Sequence, residues 1–203
     1  MPVMSLVESA FCRSAPWQRF ADRWVVPWSL RGLELHGDVL EIGAGSGAMA
    51  AAVARRAPQA RFTVTDLDPA MVRAAERRLA GYHHVTVQRA DVTDLPFADG
   101  SFDVVTSHLM LHHVVRWEQA LAEAARVLRP GGRFVGYDLT RSLLAKAIHV
   151  ADRSPYHLLT LEGLDDGLRT VGFGHREIEP SVGGHLMRFS AQLAVGPVQS
   201  PSQ

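Results

Sequence analysis

The stretch Val39-Leu40-Glu41-Ile42-Gly43-Ala44-Gly45-Ser46-Gly47, followed by the alanine-rich Ala48 to Ala57, leaves this chain the fewest ways to fold. An apolar run of strand length enters a turn with glycine at every second position and leaves through a strong helix former. Glycine tolerates positive φ and lets a ligand approach the backbone, while the first N–H groups of the helix form a positive dipole end. A small anionic or nucleotide-like ligand is expected at this turn.

The rest of the chain repeats the theme. Strand-like runs fall at Asp38 to Ile42, Arg61 to Thr65, Val85 to Arg89, Phe102 to Ser107 and Arg133 to Asp138. Between them lie helical patterns over Ala48 to Arg56, Ala70 to Ala80 and Trp117 to Leu128. The second opens on Asp68-Pro69, an N-cap with proline at the first helical position, and stops at Gly81; the third is ended by Arg129-Pro130-Gly131-Gly132. Alternating strands and helices imply a doubly wound α/β fold with a largely parallel sheet. Beyond Asp138 the sequence predicts a helix over Arg141 to Ala151, a polar segment holding Tyr156 and His157, a glycine-interrupted helix over Leu161 to Val171, and strands at His175 to Glu179 and His185 to Leu193 joined through Ser181-Val182-Gly183-Gly184.

With 203 residues the chain is expected to form one domain over residues 1–196, with an N-terminal helical lid or edge segment (1–32), a ligand-binding core (33–140), a substrate-side part (141–196) and a mobile tail (197–203). Zero formal net charge argues against a broad nucleic-acid footprint. Cys12 is the only cysteine, which excludes an intrachain disulfide and suits a reducing cytoplasm. No run approaches the roughly 18 apolar residues of a spanning helix, so stable membrane insertion is not expected. Trp17, Phe20 and Trp24 recur at helical spacing and are expected to pack against the sheet edge, with a lid over the ligand as the functional reading.

The glycine turn alone leaves the ligand open, because Gly43, Gly45 and Ala48 also satisfy the dinucleotide pattern G-x-G-x-x-G/A. Three acids narrow it. Glu41 can meet an ammonium group, Asp66 can accept both hydroxyls of a ribose, and Asp91 can accept the exocyclic amine of adenine. Placed at the ends of three successive strands around one turn, they suit a ligand with amino acid, ribose and adenine parts, which is S-adenosylmethionine.

The residues carrying these features resemble the first three motifs of class I S-adenosylmethionine-dependent methyltransferases: Val39 to Gly47, Asp66-Leu67-Asp68-Pro69-Ala70-Met71, and Asp91-Val92-Thr93-Asp94-Leu95-Pro96-Phe97. Gly100 to Val105, Leu111-His112-His113-Val114 and Arg126 to Arg133 are similar to the small-molecule, type 11-like branch. The resemblance implies a Rossmann-like seven-stranded sheet of order 3-2-1-4-5-7-6 with strand 7 antiparallel. It assigns the methionine part to Glu41, Gly43, Ala44, Gly45 and Gly47, the ribose to Asp66 and Leu67, and the adenine to Asp91 and Val92. His108 stands where relatives often carry Asn or Ser and is a further cofactor contact.

The implied reaction moves a methyl group to an N, O, S or C atom of a small-molecule or lipid-like acceptor, leaving S-adenosylhomocysteine, with no metal required. If the acceptor must lose a proton, His108, His112, His113 and Asp138 are the candidate catalytic residues, with Tyr137 at the same sheet edge. The alternatives are a non-catalytic S-adenosylmethionine-binding regulatory domain and an NAD-dependent oxidoreductase. The identity of the acceptor and the oligomeric state are not written in the sequence.

Overall fold

The computed structural model describes residues 19–30, 32–140 and 159–195. Trp17, the expected helix at 141–151, Tyr156, His157 and the expected tail at 197–203 lie outside these residues.

Seven strands form one sheet in the order β3-β2-β1-β4-β5-β7-β6, where β1 is Asp38–Ile42, β2 Arg61–Asp66, β3 Val85–Arg89, β4 Phe102–His108, β5 Leu128–Leu139, β6 Phe173–Ser181 and β7 Leu186–Leu193. The pairings among β1 to β5 are parallel, and β7 runs antiparallel to both β5 and β6. The helices are α1 (Val26–Leu30), α2 (Ala48–Arg56), α3 (Pro69–Leu79), α4 (Trp117–Val127) and α5 (Leu161–Thr170). The expected strand order and the antiparallel seventh strand are present, as is the hairpin turn at residues 182–185.

Strand side chains alternate between two faces, and two cores result. Leu40, Ile42, Val105 and Phe134 pack with α4 and α5, through Leu121, Ala124, Leu164 and Leu168. Val39, Val104, Val135 and Tyr137 pack on the other side with α1, α2 and α3, through Val26, Leu30, Val53 and Leu79. This alternation sends the neighbours Tyr137 and Asp138 to opposite faces, and it puts Glu41 and His108 on the Tyr137 side.

Local signals explain the element ends. Asp68 Oδ1 accepts the Ala70 N–H at 2.7 Å, with Pro69 at the first turn of α3, as its cap sequence predicts. Thr160 Oγ1 caps α5 by accepting from Gly163 N at 3.0 Å. Gly167, which weakens α5 as a sequence, is required by packing: a Cβ there would lie 2.7 Å from Trp117 Cζ3 and 2.9 Å from Leu121 Cδ1.

Two expectations are corrected. Arg129-Pro130-Gly131-Gly132 is not a turn after α4, because β5 starts at Leu128 directly after the helix. The register jumps from Phe102↔Leu128 to Val104↔Arg133, so these residues form an irregularity within the strand. The second concerns the N-terminal aromatics. Phe20 is 51% and Trp24 63% exposed, and the inward residues are Val25, Val26 and Leu30. Phe20 and Trp24, four residues apart, share the outward face around the π-helical turn Ala21–Val25, and the opposite face is the one that packs.

Candidate active site

At the carboxyl ends of β1 to β4 lies a cleft of about 270 Å³. Its walls come from the glycine turn (Gly43, Gly45), the end of β2 and the start of α3 (Thr65 to Pro69, Met71), the end of β3 (Ala90, Val92) and the loop after β4 (Leu109, Met110, His113, Val114). Ligand sites of open α/β sheets sit at this edge, where the strand order reverses between β1 and β4.

The turn owes its shape to its glycines. Gly43, Gly45 and Gly47 have φ of 61°, 55° and 75°, a region costly for residues with a Cβ. At Gly43 a Cβ would also stand 2.0 Å from Met110 Cγ, so the Met110 side chain lies against the bare backbone. Gly47 serves the fold: a Cβ there would come within 3.1 Å of Ala75 Cβ on α3, and the residue stands at the start of α2. Asp66 holds the turn from the next strand. Its Oδ2 accepts from Gly45 N at 2.8 Å and its Oδ1 from Asp68 N at 2.9 Å. Burial pushes the Asp66 carboxyl above its ordinary range in spite of these backbone donors.

Asp91, between the cleft residues Ala90 and Val92, accepts twice at Oδ1, from Thr93 N at 2.9 Å and Thr93 Oγ1 at 2.8 Å. Burial acts to raise its carboxyl, but the two Thr93 bonds and the Arg116 charge outweigh it and hold the group below the usual carboxylate range.

Glu41 is 1% exposed at the end of β1. His108 Nδ1 stands 3.5 Å from its Oε1, an electrostatic contact longer than a good hydrogen bond. Glu41 Oε2 and both His108 ring nitrogens have no hydrogen-bond partner among the described residues. An unpaired buried carboxylate oxygen is costly, so this pair is suited to gain a partner when a ligand arrives. Neither residue lines the cleft as it stands. His108 packs against Tyr137, ring centroids 5.5 Å apart, and Tyr137 against Trp28 at 5.3 Å.

On the opposite face of the sheet, His112 Nδ1 bonds Asp138 Oδ1, and Leu139 N donates to the same oxygen at 2.7 Å. Asp138 is wholly buried. Burial raises its carboxyl, but the His112 charge and hydrogen bond, with the Leu139 N–H, prevail and hold it below the ordinary range. His112 and His113 lie on the short 3₁₀ turn Leu111–His113 after β4, with ring centroids 3.9 Å apart, and His113 lines the cleft. The tight turn brings these consecutive rings into contact, tilted 44° to one another.

Of the residues expected to bind the ligand, Gly43, Gly45, Asp66, Leu67 and Val92 line the cleft, whereas Glu41, Ala44, Gly47, Asp91 and His108 are not among its lining residues. Sequence reasoning missed Leu109 and Met110. Their one sequence signal is position, between the end of β4 and the histidine pair. Leu109 takes φ 53°, unusual for a residue with a Cβ, and this bend turns the chain from β4 into the cleft wall. Among the described residues no group of three His, Cys, Asp or Glu is placed to hold a metal ion, and no helix is long and apolar enough to cross a membrane.

A model of the methyltransferase domain family matches residues 40–136, the span that builds this cleft. Demethylmenaquinone methyltransferase of Clavibacter sepedonicus is 34% identical over 172 residues, covering 71% of this chain and 69% of the relative. The ubiquinone/menaquinone biosynthesis C-methyltransferase UbiE of Geotalea daltonii is 29% identical over 193 residues, 92% of this chain and 71% of the relative. Several other curated relatives are matched over half of their own length or less. Among solved structures, the CurJ carbon methyltransferase superposes with a TM-score of 0.70 at 22% identity, covering 93% of this chain and 57% of that one. The fold, the cleft and these relatives place the chain in the family of S-adenosylmethionine-dependent methyltransferases. Its cofactor is S-adenosylmethionine, and its reaction a methyl transfer.

Proposed function

We propose that this methyltransferase acts on a ring carbon of a small quinol-type acceptor, and that His113, with His112 and Asp138 behind it, manages the proton that the acceptor gives up. The observation that carries this reading is the buried Asp138–His112 pair in ring contact with a histidine that lines the cleft. Curated relatives named as demethylmenaquinone and ubiquinone/menaquinone C-methyltransferases support the acceptor class. The apolar cleft wall of Leu109, Met110 and Val114 suits a flat hydrophobic ring.

The residues fit the cofactor. Glu41, with its orphaned buried oxygen, receives the ammonium; Gly43 to Gly47 give backbone access to the methionine part; Asp66 and Leu67 take the ribose; Asp91 and Val92 take the adenine. When bound, S-adenosylmethionine supplies an electrophilic methyl on a sulfonium centre. The chain's own contribution is to align the acceptor and exclude water. A quinol ring carbon that gains a methyl must lose its hydrogen, and its hydroxyl must release electron density. A base within reach serves both ends. Asp138 Oδ1 engages His112 Nδ1 and fixes the ring behind His113. His113 stands between this pair and the cleft as the acceptor-facing group.

Titration of the purified full chain with S-adenosylhomocysteine and with NAD tests the cofactor site, with tight binding expected for the first alone. Turnover with labelled S-adenosylmethionine and a reduced demethylmenaquinone of short prenyl chain tests the reaction. Cofactor binding without any transfer would favour a non-catalytic regulatory domain.

A further inference from the structure

Asp91 does not hold its orientation alone. Both hydrogen bonds at its Oδ1 come from Thr93, a residue only 4% exposed, and no hydrogen bond reaches Oδ2 from the described residues. A threonine hydroxyl carries one proton and can aim it at any nearby acceptor. Here the aim is fixed from behind. Arg116 Nη2 donates to Thr93 Oγ1 at 2.9 Å, and a guanidinium can only donate, so the hydroxyl proton is left to point at Asp91. The chain of donors runs one way, from Arg116 through Thr93 to Asp91. It pins one carboxylate oxygen and keeps the other available. Arg116 itself follows the loop that carries His113 and Val114, so it ties the wall on the acceptor side of the cleft to the end of β3.

We propose that Arg116 is a positioning residue for adenine recognition, acting through Thr93 to hold Asp91 Oδ2 toward the C6 amine of the cofactor. This rests on the reading of Asp91 as the acceptor of that amine. A purely structural tether between the two loops would behave differently: its loss would weaken cofactor binding whatever the purine carries at C6.

The test is calorimetric titration of the full chain with S-adenosylhomocysteine and with its analogue in which hydrogen replaces the C6 amine. The wild type should prefer the amine-bearing ligand by about tenfold, the scale of a hydrogen bond to a charged acceptor. Arg116→Ala should lose about threefold to fivefold for S-adenosylhomocysteine and almost nothing for the analogue, with Arg116→Lys recovering part of the loss. Thr93→Val should abolish the preference, and Thr93→Ser should keep it. Arg116 is exposed, so its replacement tests the inference even if Thr93→Val fails to fold. Equal losses for both ligands in Arg116→Ala, or no loss for either, would overturn the inference while leaving Asp91 as the adenine acceptor. A wild type that binds both ligands equally would overturn the Asp91 reading, and the role of Arg116 with it.

Discussion

His112 Nδ1 hydrogen-bonds Asp138 Oδ1 across the carboxyl edge of the sheet, joining the loop after β4 to the end of β5. The carboxylate is wholly buried and turned away from Tyr137, its neighbour in sequence. Asp138→Asn keeps the size and an acceptor but removes the negative charge that His112 Nδ1 contacts. We expect kcat to fall by about a hundredfold, the lower range for loss of a positioned acid–base group, with S-adenosylhomocysteine affinity unchanged. A folded variant with full turnover would remove the pair from the reaction.

Asp66 links the glycine turn to the start of α3 through Gly45 N and Asp68 N. Asp66→Ala deletes the acceptor proposed for the ribose hydroxyls and removes the bond that ties the glycine turn through Gly45 N. Cofactor affinity should drop at least tenfold, from the loss of about 1.5 to 3 kcal/mol of charge-assisted hydrogen bonding. Calorimetric titration checks this, with circular dichroism confirming the fold. Unchanged affinity in a folded variant would contradict the ribose assignment.

Acid should destabilise the protein through carboxylates held low in the fold. Asp138, Glu123 and Asp38 all lie below their ordinary values, in contact with His112, with Arg126, and with Arg61 and Arg129 respectively. The unfolded chain takes up protons on such groups near pH 4, the folded chain only at lower pH. Their stabilisation is therefore complete above about pH 5 and lost as pH falls through the folded values. Asp66 has the opposite sign. Burial raises its folded value, so what it contributes is present at low pH and lost as pH rises through that value. Asp22, Asp91 and Asp165 are lowered as well, so the lowered carboxylates outnumber Asp66, and the urea midpoint should decline from about pH 5 to pH 3, and less steeply in Asp138→Asn.

Gly167→Ala should destabilise the fold, although alanine is the better helix former by about 1 kcal/mol. The new methyl would press on the Trp117 and Leu121 side chains, where α5 packs on α4. Overpacking of this kind costs about 1 to 3 kcal/mol, so the urea midpoint should fall. A raised midpoint would mean that Trp117 moves aside freely.

Much of this architecture is legible in the sequence because it is local. The bounds of β1 and α2 follow from apolar runs and glycine placement, and the cap of α3 from Asp68-Pro69. The strand order came with the family resemblance. Leu128 to Gly132 misleads because proline and glycine signal a turn, while the pairing of Leu128 with Phe102 carries the strand across them. Phe20 and Trp24 mislead because helical spacing groups them on one face without saying which face meets the sheet. The Asp138–His112 pair was hidden for another reason. The two residues are 26 positions apart on different elements, and only the alternation of β5 and the tight turn after β4 bring them together. Arg116 was hidden in the same way, since its partner Thr93 lies on another loop.

The central claim is best tested by where a methyl group goes. The full chain, incubated with S-adenosylmethionine carrying a ¹³C methyl and with a reduced demethylmenaquinone, should give a product whose labelled methyl sits on a ring carbon in the NMR spectrum, with the yield collapsing in Asp138→Asn. Label found on a ring oxygen, or ring-carbon methylation undiminished in that variant, would contradict the account.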